Sequence, residues 1–319
     1  MSAATSRIDN AWFLAGPTAS GKTAAGIELA RQIGAEIISL DSMALYRGMD
    51  IGTAKPTTEE RSLVPHHLID IVDPSEEFSV AQYLEVATAA ADEIAARGRQ
   101  NLFVGGTPLY LKVLLRGLFS GPPADWKLRR ELEETARIEG PAALHARLAE
   151  IDSLAAAKLH PNDLRRIIRA LEVHSTTGQP ISSFQHQFAQ GRLADHCKVF
   201  VLDWPRDTLE NRIRQRVDAM FAADFVEEVT RLSVSCLSRT ASQALGYREV
   251  LEYLNGQRDL AATIELVKIR TRQFAKRQLT WFRSLSECRW VAVPEPFEPT
   301  GIARGIAAMA IAPQSNLPR

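Results

Sequence analysis

Short apolar runs alternate with helical patterns in the first third of the chain. Residues 11–15, 36–40 (EIISL) and 101–104 (NLFV) are apolar or β-branched, so they predict buried strands. Between them, residues 22–33 and 79–96 carry apolar side chains at helical spacing, and a glycine follows each segment closely. Strands that alternate with helices pair in parallel, so the pattern predicts an α/β fold with a parallel sheet.

The alternation stops in the middle of the chain. Residues 122–197 show helical patterns interrupted by Pro and Gly, without a convincing strand, and a strand pattern returns at 198–203 (KVFVLD). A long helical segment follows over about 259–284, and residues 288–293 (CRWVAV) predict a last strand. The predicted organisation is a first part of the α/β core over 1–121, a helical insertion over 122–197, a second part of the core with the long helix over 198–296, and a loosely ordered tail over 297–319.

Composition is typical of a globular protein without a strong overall charge. Of the 319 residues 45% are hydrophobic, and 38 basic residues balance 38 acidic ones. No overall field therefore attracts nucleic acid or membranes, and a nucleic-acid site must be a local patch. Cys197, Cys236 and Cys288 are far apart, which favours a reducing compartment over a disulfide framework or zinc module. We find no signal-peptide or membrane-spanning pattern, so we expect a cytoplasmic protein, and a monomer as the simplest state.

A phosphate-binding motif follows the first predicted strand. GPTASGKT matches G-x-x-x-x-G-K-[ST] in full, between a strand pattern and a helical pattern. Such a loop turns backbone N–H groups toward an anion, and the helix N-terminus adds partial positive charge. The motif predicts a diphosphate-bearing ligand, with Mg²⁺ bound near the hydroxyl of Thr23. The predicted loop residues are Gly16, Pro17, Thr18, Ala19, Ser20, Gly21, Lys22 and Thr23.

Two acidic residues end predicted strands. Asp41 follows EIISL, and Asp203 ends KVFVLD, and either is a candidate for the metal carboxylate of a P-loop nucleotide enzyme. Asp41 is also a candidate base, because ligands of open α/β sheets bind at the carboxyl edge. The pair Asp41-Ser42 is equally good helix-capping chemistry. The residues alone therefore leave a small-molecule kinase, with ATP on the loop, open beside other diphosphate chemistry.

Seven motifs, in order along most of the chain, resemble the tRNA dimethylallyltransferase (tRNA isopentenyltransferase) family. They are GPTASGKT, DSMALYRGMDIGTAKP, PHHLID, GGTPLYL, HPNDLRRIIRALEV, ALGYRE and TRQFAKRQLTWFR. The resemblance implies a P-loop NTPase-like core that transfers a dimethylallyl group from dimethylallyl diphosphate to N6 of the adenosine 3′-adjacent to the anticodon, releasing pyrophosphate. The loop would then hold the donor's diphosphate, and an ATP-binding or nucleotide-binding description would follow from the motif alone.

The resemblance also implies roles for individual residues. Asp41 is the implied base for the adenine amine, a function typically worth about 10²–10⁴-fold in rate. Thr107 follows the third predicted strand and is implied to lie at the reacting groups, although Thr-Pro is also an ordinary helix start. Arg129 matches a family arginine near the diphosphate. Lys22, the loop amides and Mg²⁺ are suited to the charge that grows on departing pyrophosphate.

Two basic helical stretches are candidates for binding the tRNA anticodon arm. Residues 164–173 place Arg165 and Arg169 four apart, and residues 264–283 carry six basic side chains against one acid. A solvated amphipathic helix is the alternative for both. Affinity from such phosphate contacts weakens with salt, and reaching the base requires extruding it. The implied tRNA-binding residues are Asp41, Ser42, Met43, Ala44, Arg165, Arg166, Ile167, Ile168, Arg169, Arg272, Lys276 and Arg277.

Two positions depart from the family pattern. Position 165 is often Gln in the family, so Arg165 is expected to shift the contact from base reading toward phosphate binding. Asp224 stands where Gly is usual, and Asp tolerates a left-handed turn better than most residues. NRIRQR (211–216) resembles a kinase lid arginine pair and equally fits a solvated helix face. A third reading, a non-catalytic RNA-binding module, would be indifferent to Asp41→Ala.

Overall fold

A computed structural model describes Ile8 and residues 10–118, 121–184, 198–234 and 236–311. The chain divides into two compact units, one made of Met1–Leu115 with Leu193–Arg319 and the other of Arg116–Arg192. The second unit corresponds to the insertion predicted over 122–197. Cys197 and the last eight residues lie outside the described residues.

The first unit is built on one six-stranded parallel sheet. The strands are β1 (Trp12–Ala15), β2 (Ala35–Ser39), β3 (His66–His67), β4 (Gln100–Gly105), β5 (Lys198–Asp203) and β6 (Cys288–Ala292). Their order across the sheet is β3-β2-β4-β1-β5-β6, and each neighbouring pair is parallel. The predicted α/β fold is confirmed. The two-residue β3 has no apolar run of its own and is not predicted by the pattern.

Helices cover both faces of this sheet. The first part contributes α1 (Lys22–Ile33), α2 (Thr58–Leu63), α3 (Val80–Ala96) and α4 (Pro108–Arg116). The second part contributes α10 (Arg206–Ala222), α11 (Phe225–Ser233), α12 (Tyr247–Leu254), α13 (Leu260–Arg283) and α14 (Pro299–Ile311), with a 3₁₀ turn at Ala241–Gln243. Within the described residues, no helix has the length and apolar character needed to cross a membrane.

Alternating strand residues divide the apolar side chains of this unit into two cores. Phe13 stacks on Phe103 at 4.9 Å between ring centroids in one core, whereas Leu14 belongs to the opposite core. This is the two-residue period of a strand that is buried on both faces. The buried strand residues therefore fix which helices cover each face.

The last helix differs from the predicted loose tail. Residues 299–311 form α14, whose Ile302, Ala303 and Ile306 are buried in the same core as Leu29 of α1. The expectation of a loosely ordered segment is wrong here, because these side chains share one helical face and bury apolar area.

The second unit has its own small core. Its helices are α5 (Trp126–Glu139), α6 (Pro141–Ile151), α7 (Ser153–Ala156), α8 (Leu164–Thr177) and α9 (Ile181–Phe184). Leu132, Leu144, Leu148 and Ile167 pack together in it. The described part of residues 122–184 is helical and contains no strand, as the pattern predicts.

Asp224 begins α11 with φ of +65°. The left-handed turn expected at this departure from the family pattern is therefore present. The short polar side chain of Asp makes such a conformation less unfavourable than it is for most residues.

Candidate active site

A cavity of about 780 Å³ opens at the carboxyl edge of the sheet in the first unit. Its wall is formed by the loops after β1, β2 and β4 together with α10, α12 and α13. This is the edge at which open α/β sheets bind ligands, and the volume is within the range of small-molecule sites. Lining residues that bear on the chemistry are Thr18, Lys22, Thr23, Asp41, Thr107 and Arg216.

The phosphate-binding loop joins β1 to α1 and is held from its outer side. Trp204 Nε1 donates to the Ser20 carbonyl at 2.9 Å, and Arg212 Nε donates to the Ala19 carbonyl at 2.9 Å. Gly21 has φ of +82°, and a Cβ there would lie 2.5 Å from the ring of Phe297. Glycine is therefore required at this position by both conformation and space.

Lys22 is a half-buried lysine facing the cavity. Its Nζ donates to the Pro17 carbonyl at 2.6 Å and lies 3.4 Å from Ser20 Oγ. The cavity leaves the side chain some accessible surface. Burial, and then the nearby Arg216 guanidinium, lower the pKa of Lys22 to about 7, while Asp41 opposes the shift. A bound anion would offset both unfavourable effects.

Arg216, on α10, is a second cation in the cavity wall. Its Nη2 is 3.5 Å from the Thr53 carbonyl. Burial lowers the pKa of Arg216, and the Asp41 carboxylate opposes this shift. Of the two alternatives left open for NRIRQR, the solvated helix face is therefore wrong at this position. Its position beside Lys22 could not be read from the helical pattern.

Asp41 lies two residues after the end of β2 and lines the same cavity. Its Oδ1 accepts from the Met43 N–H at 2.8 Å and from the Ala44 N–H at 3.4 Å. Within the described part of the chain, Oδ2 accepts no hydrogen bond. Asp203 does not line the cavity, and its carbonyl accepts from the Val293 N–H beside β6. Of the two candidate carboxylates, Asp41 is thus the one that reaches the ligand space.

Thr107 links the loop after β4 to the residues around Asp41. Its Oγ1 accepts from the Ser42 N–H at 3.0 Å, and its own N–H donates to the Leu40 carbonyl at 3.1 Å. A Cβ on Gly105 would lie 2.2 Å from the Leu40 carbonyl oxygen. The backbone of Gly105 can therefore lie this close to the backbone of Leu40 only because residue 105 is glycine. The hydroxyl of Thr107 therefore holds the backbone of the turn after Asp41. Thr107 is also the residue that immediately precedes helix α4.

Gln278 of α13 is a functional candidate that sequence reasoning missed. Its Oε1 accepts from the Thr18 N–H at 2.9 Å, and its Nε2 donates to the Gly106 carbonyl at 2.6 Å. One signal was available in the sequence: Gln278 continues the stripe of Val267, Thr271 and Ala275 that is buried along α13. A polar residue in such a stripe needs partners.

Glu228 shapes another part of the wall and was also missed. Its carboxylate accepts from the N–H groups of Asp50, Ile51 and Gly52 at 2.7–3.1 Å, and from the hydroxyl of Tyr247 at 2.6 Å. The side chain is almost fully buried. Four donors stabilise the buried charge and hold the loop that carries Thr53.

The RNA-binding candidates of α13 lie at or near the cavity. Arg277 lines it, as does Phe274, whereas Lys276 is exposed and lies outside the lining. Arg272 is 3.8 Å from Glu210. Ser42, Met43 and Ala44 also line the cavity, on the turn after Asp41.

Arg129 and the α8 candidates lie in the second unit. Arg129 Nε and Nη2 each donate to the buried Glu172 at 2.8 Å, and Arg169 donates to the same carboxylate. Although burial raises the pKa of Glu172, the hydrogen bonds from these arginines bring it below its usual range. Arg165 and Arg166 are exposed. Arg129 thus has a structural partner inside its own unit.

Two predicted RNA contacts in α8 need correction. The side chains of Ile167 and Ile168 are buried in the core of the second unit. They are wrong as side-chain contacts for RNA, because the apolar face of the helix packs inward and leaves the neighbouring arginines exposed.

Thr23 supplies the one side chain that was predicted to bind Mg²⁺. Thr23 lines the cavity at the start of α1. The described residues contain no cluster of three acidic, His or Cys side chains able to hold a metal. In a P-loop the Ser or Thr hydroxyl binds Mg²⁺ together with oxygens of the bound phosphates, and the hydroxyl of Thr23 is placed for that role.

Comparison with known proteins gives one consistent result. The profile of the IPP transferase family matches residues 44–285, and that of isopentenyl transferases matches residues 9–69. The tRNA dimethylallyltransferase of Geobacter metallireducens is 49% identical over 89% of this chain and 92% of its own. That of Rhodopirellula baltica is 47% identical over 88% and 87%.

Solved structures agree with the sequence relatives. The tRNA isopentenylpyrophosphate transferase of Bacillus halodurans is 40% identical, with a TM-score of 0.69 over 95% of this chain and 96% of its own. A eukaryotic dimethylallyltransferase acting on tRNA is 29% identical, with a TM-score of 0.71 over 88% and 73%. The similarity thus extends over both units of the chain.

Proposed function

Because the chain belongs to the IPP transferase family, we propose that it transfers a dimethylallyl group from dimethylallyl diphosphate to N6 of the adenosine 3′-adjacent to the anticodon. The chain is a prenyltransferase that modifies tRNA. The donor, the target atom and the roles of individual residues form the proposal. We expect the enzyme to work in the cytoplasm, where its RNA substrate is, and as a monomer.

One observation carries the proposal. Lys22, Arg216 and Asp41 line the same cavity. Two cations suited to bind a diphosphate therefore face the same space as a carboxylate suited to act as a base. The lowered pKa values of both cations reflect burial that a bound diphosphate would compensate. A cavity of about 780 Å³ has room for a small allylic donor and an extruded base.

The first chemical task is to activate a weak nucleophile. The lone pair of an exocyclic adenine amine is delocalised into the ring, so attack on the allylic carbon needs removal of a proton. Asp41 is suited to this, since Met43 and Ala44 fix Oδ1 and leave Oδ2 toward the substrate. The N6–carbon bond forms as the carbon–oxygen bond to the diphosphate breaks, and the amine proton passes to Asp41.

The second task is to stabilise the leaving group. Negative charge grows on the diphosphate oxygens as the carbon–oxygen bond breaks. Lys22, Arg216 and the amides of the loop face that charge in the cavity. Mg²⁺, held by Thr23 and the diphosphate, would supply further charge neutralisation.

Binding of the RNA is assigned to basic side chains in both units. Arg165 and Arg166 are exposed on α8, and Lys276 and Arg277 lie on α13 at or near the cavity. Such side chains bind phosphates and give salt-dependent affinity. Phe274, partly exposed in the cavity wall, is suited to stack on an unstacked base.

The direct test uses dimethylallyl diphosphate labelled in its allyl group. The wild-type protein, Mg²⁺ and unmodified tRNA are incubated, and the tRNA is digested to nucleosides. We expect label on N6 of the adenosine beside the anticodon and one pyrophosphate released per transfer, without any nucleoside triphosphate. Nucleotide turnover without label transfer would support the kinase alternative instead.

A matched pair of variants separates chemistry from binding. Asp41→Asn keeps the shape of the side chain and can still accept from Met43, but it removes the base. The predicted result is loss of transfer with tRNA binding retained. Unchanged transfer in Asp41→Asn would remove Asp41 from the mechanism.

A further inference from the structure

Gln278 joins two loops of the active site that come from distant parts of the chain. It is buried on α13, with 4% of its surface exposed. Its amide accepts from the Thr18 N–H in the phosphate-binding loop and donates to the Gly106 carbonyl in the loop after β4. Both hydrogen-bonding functions of one side chain are therefore used, one toward each loop.

The space around Gly106 shows how closely this amide is fitted. A Cβ on Gly106 would lie 2.6 Å from Gln278 Nε2 and 3.3 Å from the Gly16 carbonyl oxygen. Any side chain at this position must displace the amide or the loop. The backbone of Gly106 thus lies directly against the amide of Gln278. The amide therefore bridges the phosphate-binding loop and the loop after β4.

Chain neighbours and one further hydrogen bond lead from this contact to the candidate base. Gly106 precedes Thr107, and Thr107 Oγ1 accepts from the Ser42 N–H beside Asp41. Thr18, at the other end, lies in the loop that contains Lys22. Gln278 therefore lies between the residues proposed to hold the diphosphate and those proposed to activate the amine.

We propose that Gln278 is a positioning residue that sets the distance between the diphosphate-holding loop and the strand ends that carry Thr107 and Asp41. Its amide is occupied by these two backbone contacts, so its proposed role is to position other residues. Because it follows Lys276 and Arg277 on α13, it also anchors the candidate RNA-binding helix to the reaction centre. This inference rests on the proposed function, since it concerns the alignment of the same two substrates.

Two substitutions at this position test the two hydrogen bonds of its amide. Gln278→Glu keeps the shape and can accept from Thr18, but its carboxylate cannot donate to the Gly106 carbonyl. Gln278→Met has similar length and makes neither bond. Gln257→Glu introduces the same charge at an exposed position outside the cavity and serves as the control.

The main measurement is the single-turnover rate of transfer with donor and tRNA both saturating. We expect about a 100-fold loss in both Gln278 variants, because misplacement by about 1 Å can cost that much. The Kd for tRNA should change less than about threefold, and Gln257→Glu should match the wild type. Rates within threefold of the wild type, or rates fully restored by more donor, would overturn the positioning role.

Gly106→Ala provides an independent variant that leaves Gln278 itself unchanged. The added methyl group displaces the amide, so the same loss of single-turnover rate is expected if folding, checked by Tm, is retained. A normal rate in folded Gly106→Ala would overturn the proposal.

Binding of pyrophosphate distinguishes failure of this inference from failure of the proposed function. It needs no prenyl transfer, and weaker binding to Gln278→Met than to wild type is expected from a displaced Thr18 amide. If the wild type transfers no prenyl group, the proposed function fails, while this binding difference still tests the contact. Equal binding of pyrophosphate by both proteins would count against the role of Gln278.

Discussion

Binding of the donor should draw a proton onto Lys22. The pKa of Lys22 is about 7 in the ligand-free cavity because of burial and the neighbouring Arg216. A diphosphate beside the ammonium favours its charged form, so the pKa rises on binding. The ligand-free protein carries about 0.1 proton on this group at pH 8 and about 0.9 at pH 6. The complex carries close to one at both, so we expect uptake of about 0.9 proton at pH 8 and about 0.1 at pH 6.

The same linkage sets how affinity changes with pH. Above pH 7 the ligand-free lysine must be protonated before it binds, so Kd rises by up to tenfold per pH unit. Kd scales with the factor 1 + 10^(pH − pKa), which is about 2 at pH 7 and about 101 at pH 9 for a pKa of about 7. Binding is therefore at most about 50-fold weaker at pH 9 than at pH 7. Water in the open cavity screens the charges and makes this an upper value.

Calorimetry measures this proton uptake directly. Dimethylallyl diphosphate is titrated without tRNA, at constant Mg²⁺, in two buffers that differ in ionisation enthalpy. Lys22→Met is the control, because it retains the proton exchange of the ligand and loses that of the lysine. The difference between the proteins should rise from pH 6 to pH 8. A difference near zero at both pH values would refute a lowered pKa of Lys22 in the ligand-free state.

The remaining predictions concern the base, the RNA, the second unit and the stability of the ligand-free fold. Asp41→Asn should lower the single-turnover rate by about 10²–10⁴-fold with an unchanged Kd for tRNA, measured by filter binding. Arg165→Ala should reduce the slope of log K against log salt by about one, and an unchanged slope would place Arg165 outside the interface. Glu172→Ala leaves the charge of Arg129 without its buried partner and should lower the free energy of unfolding by about 3–5 kcal/mol in a urea titration. Lys22→Met should raise the Tm of the ligand-free protein at pH 7 more than at pH 10, since a lysine with a lowered folded-state pKa destabilises most at low pH; an equal rise at both pH values would contradict this.

Local signals predicted much of the fold. The β-branched run at 36–40 gave strand β2, and the helical pattern of residues 22–33 matches α1, whose end is capped by Gly34. The phosphate-binding loop was predictable because Gly16, Gly21 and Lys22 lie close together in the sequence at a fixed spacing. Residues that act together as neighbours in sequence leave a motif that can be read without the fold.

The rest of the site depends on contacts between distant segments. Arg216, Glu228 and Gln278 lie on three helices, and each looks like an ordinary polar residue of its helix. Their roles arise because the sheet brings those helices to one edge. At Ile167 and Ile168 a binding role was predicted where there is none for the side chains. They belong to a motif that resembles a binding segment, but they form part of the core of the second unit.

The strand order gives a physical reason why this phosphate-binding loop suits prenyl transfer. β1 leads into the loop, and its direct neighbours are β4 and β5. A carboxylate that manages a metal on the phosphates would be expected beside β1, but β4 ends in Gly105, and Asp203 of β5 is outside the cavity. Asp41 instead follows β2, two strands away, or about 10 Å at about 4.8 Å per strand. Asp41 still influences the pKa of Lys22 across the cavity, so this placement suits a base that faces the amine beyond the diphosphate and the allylic carbon.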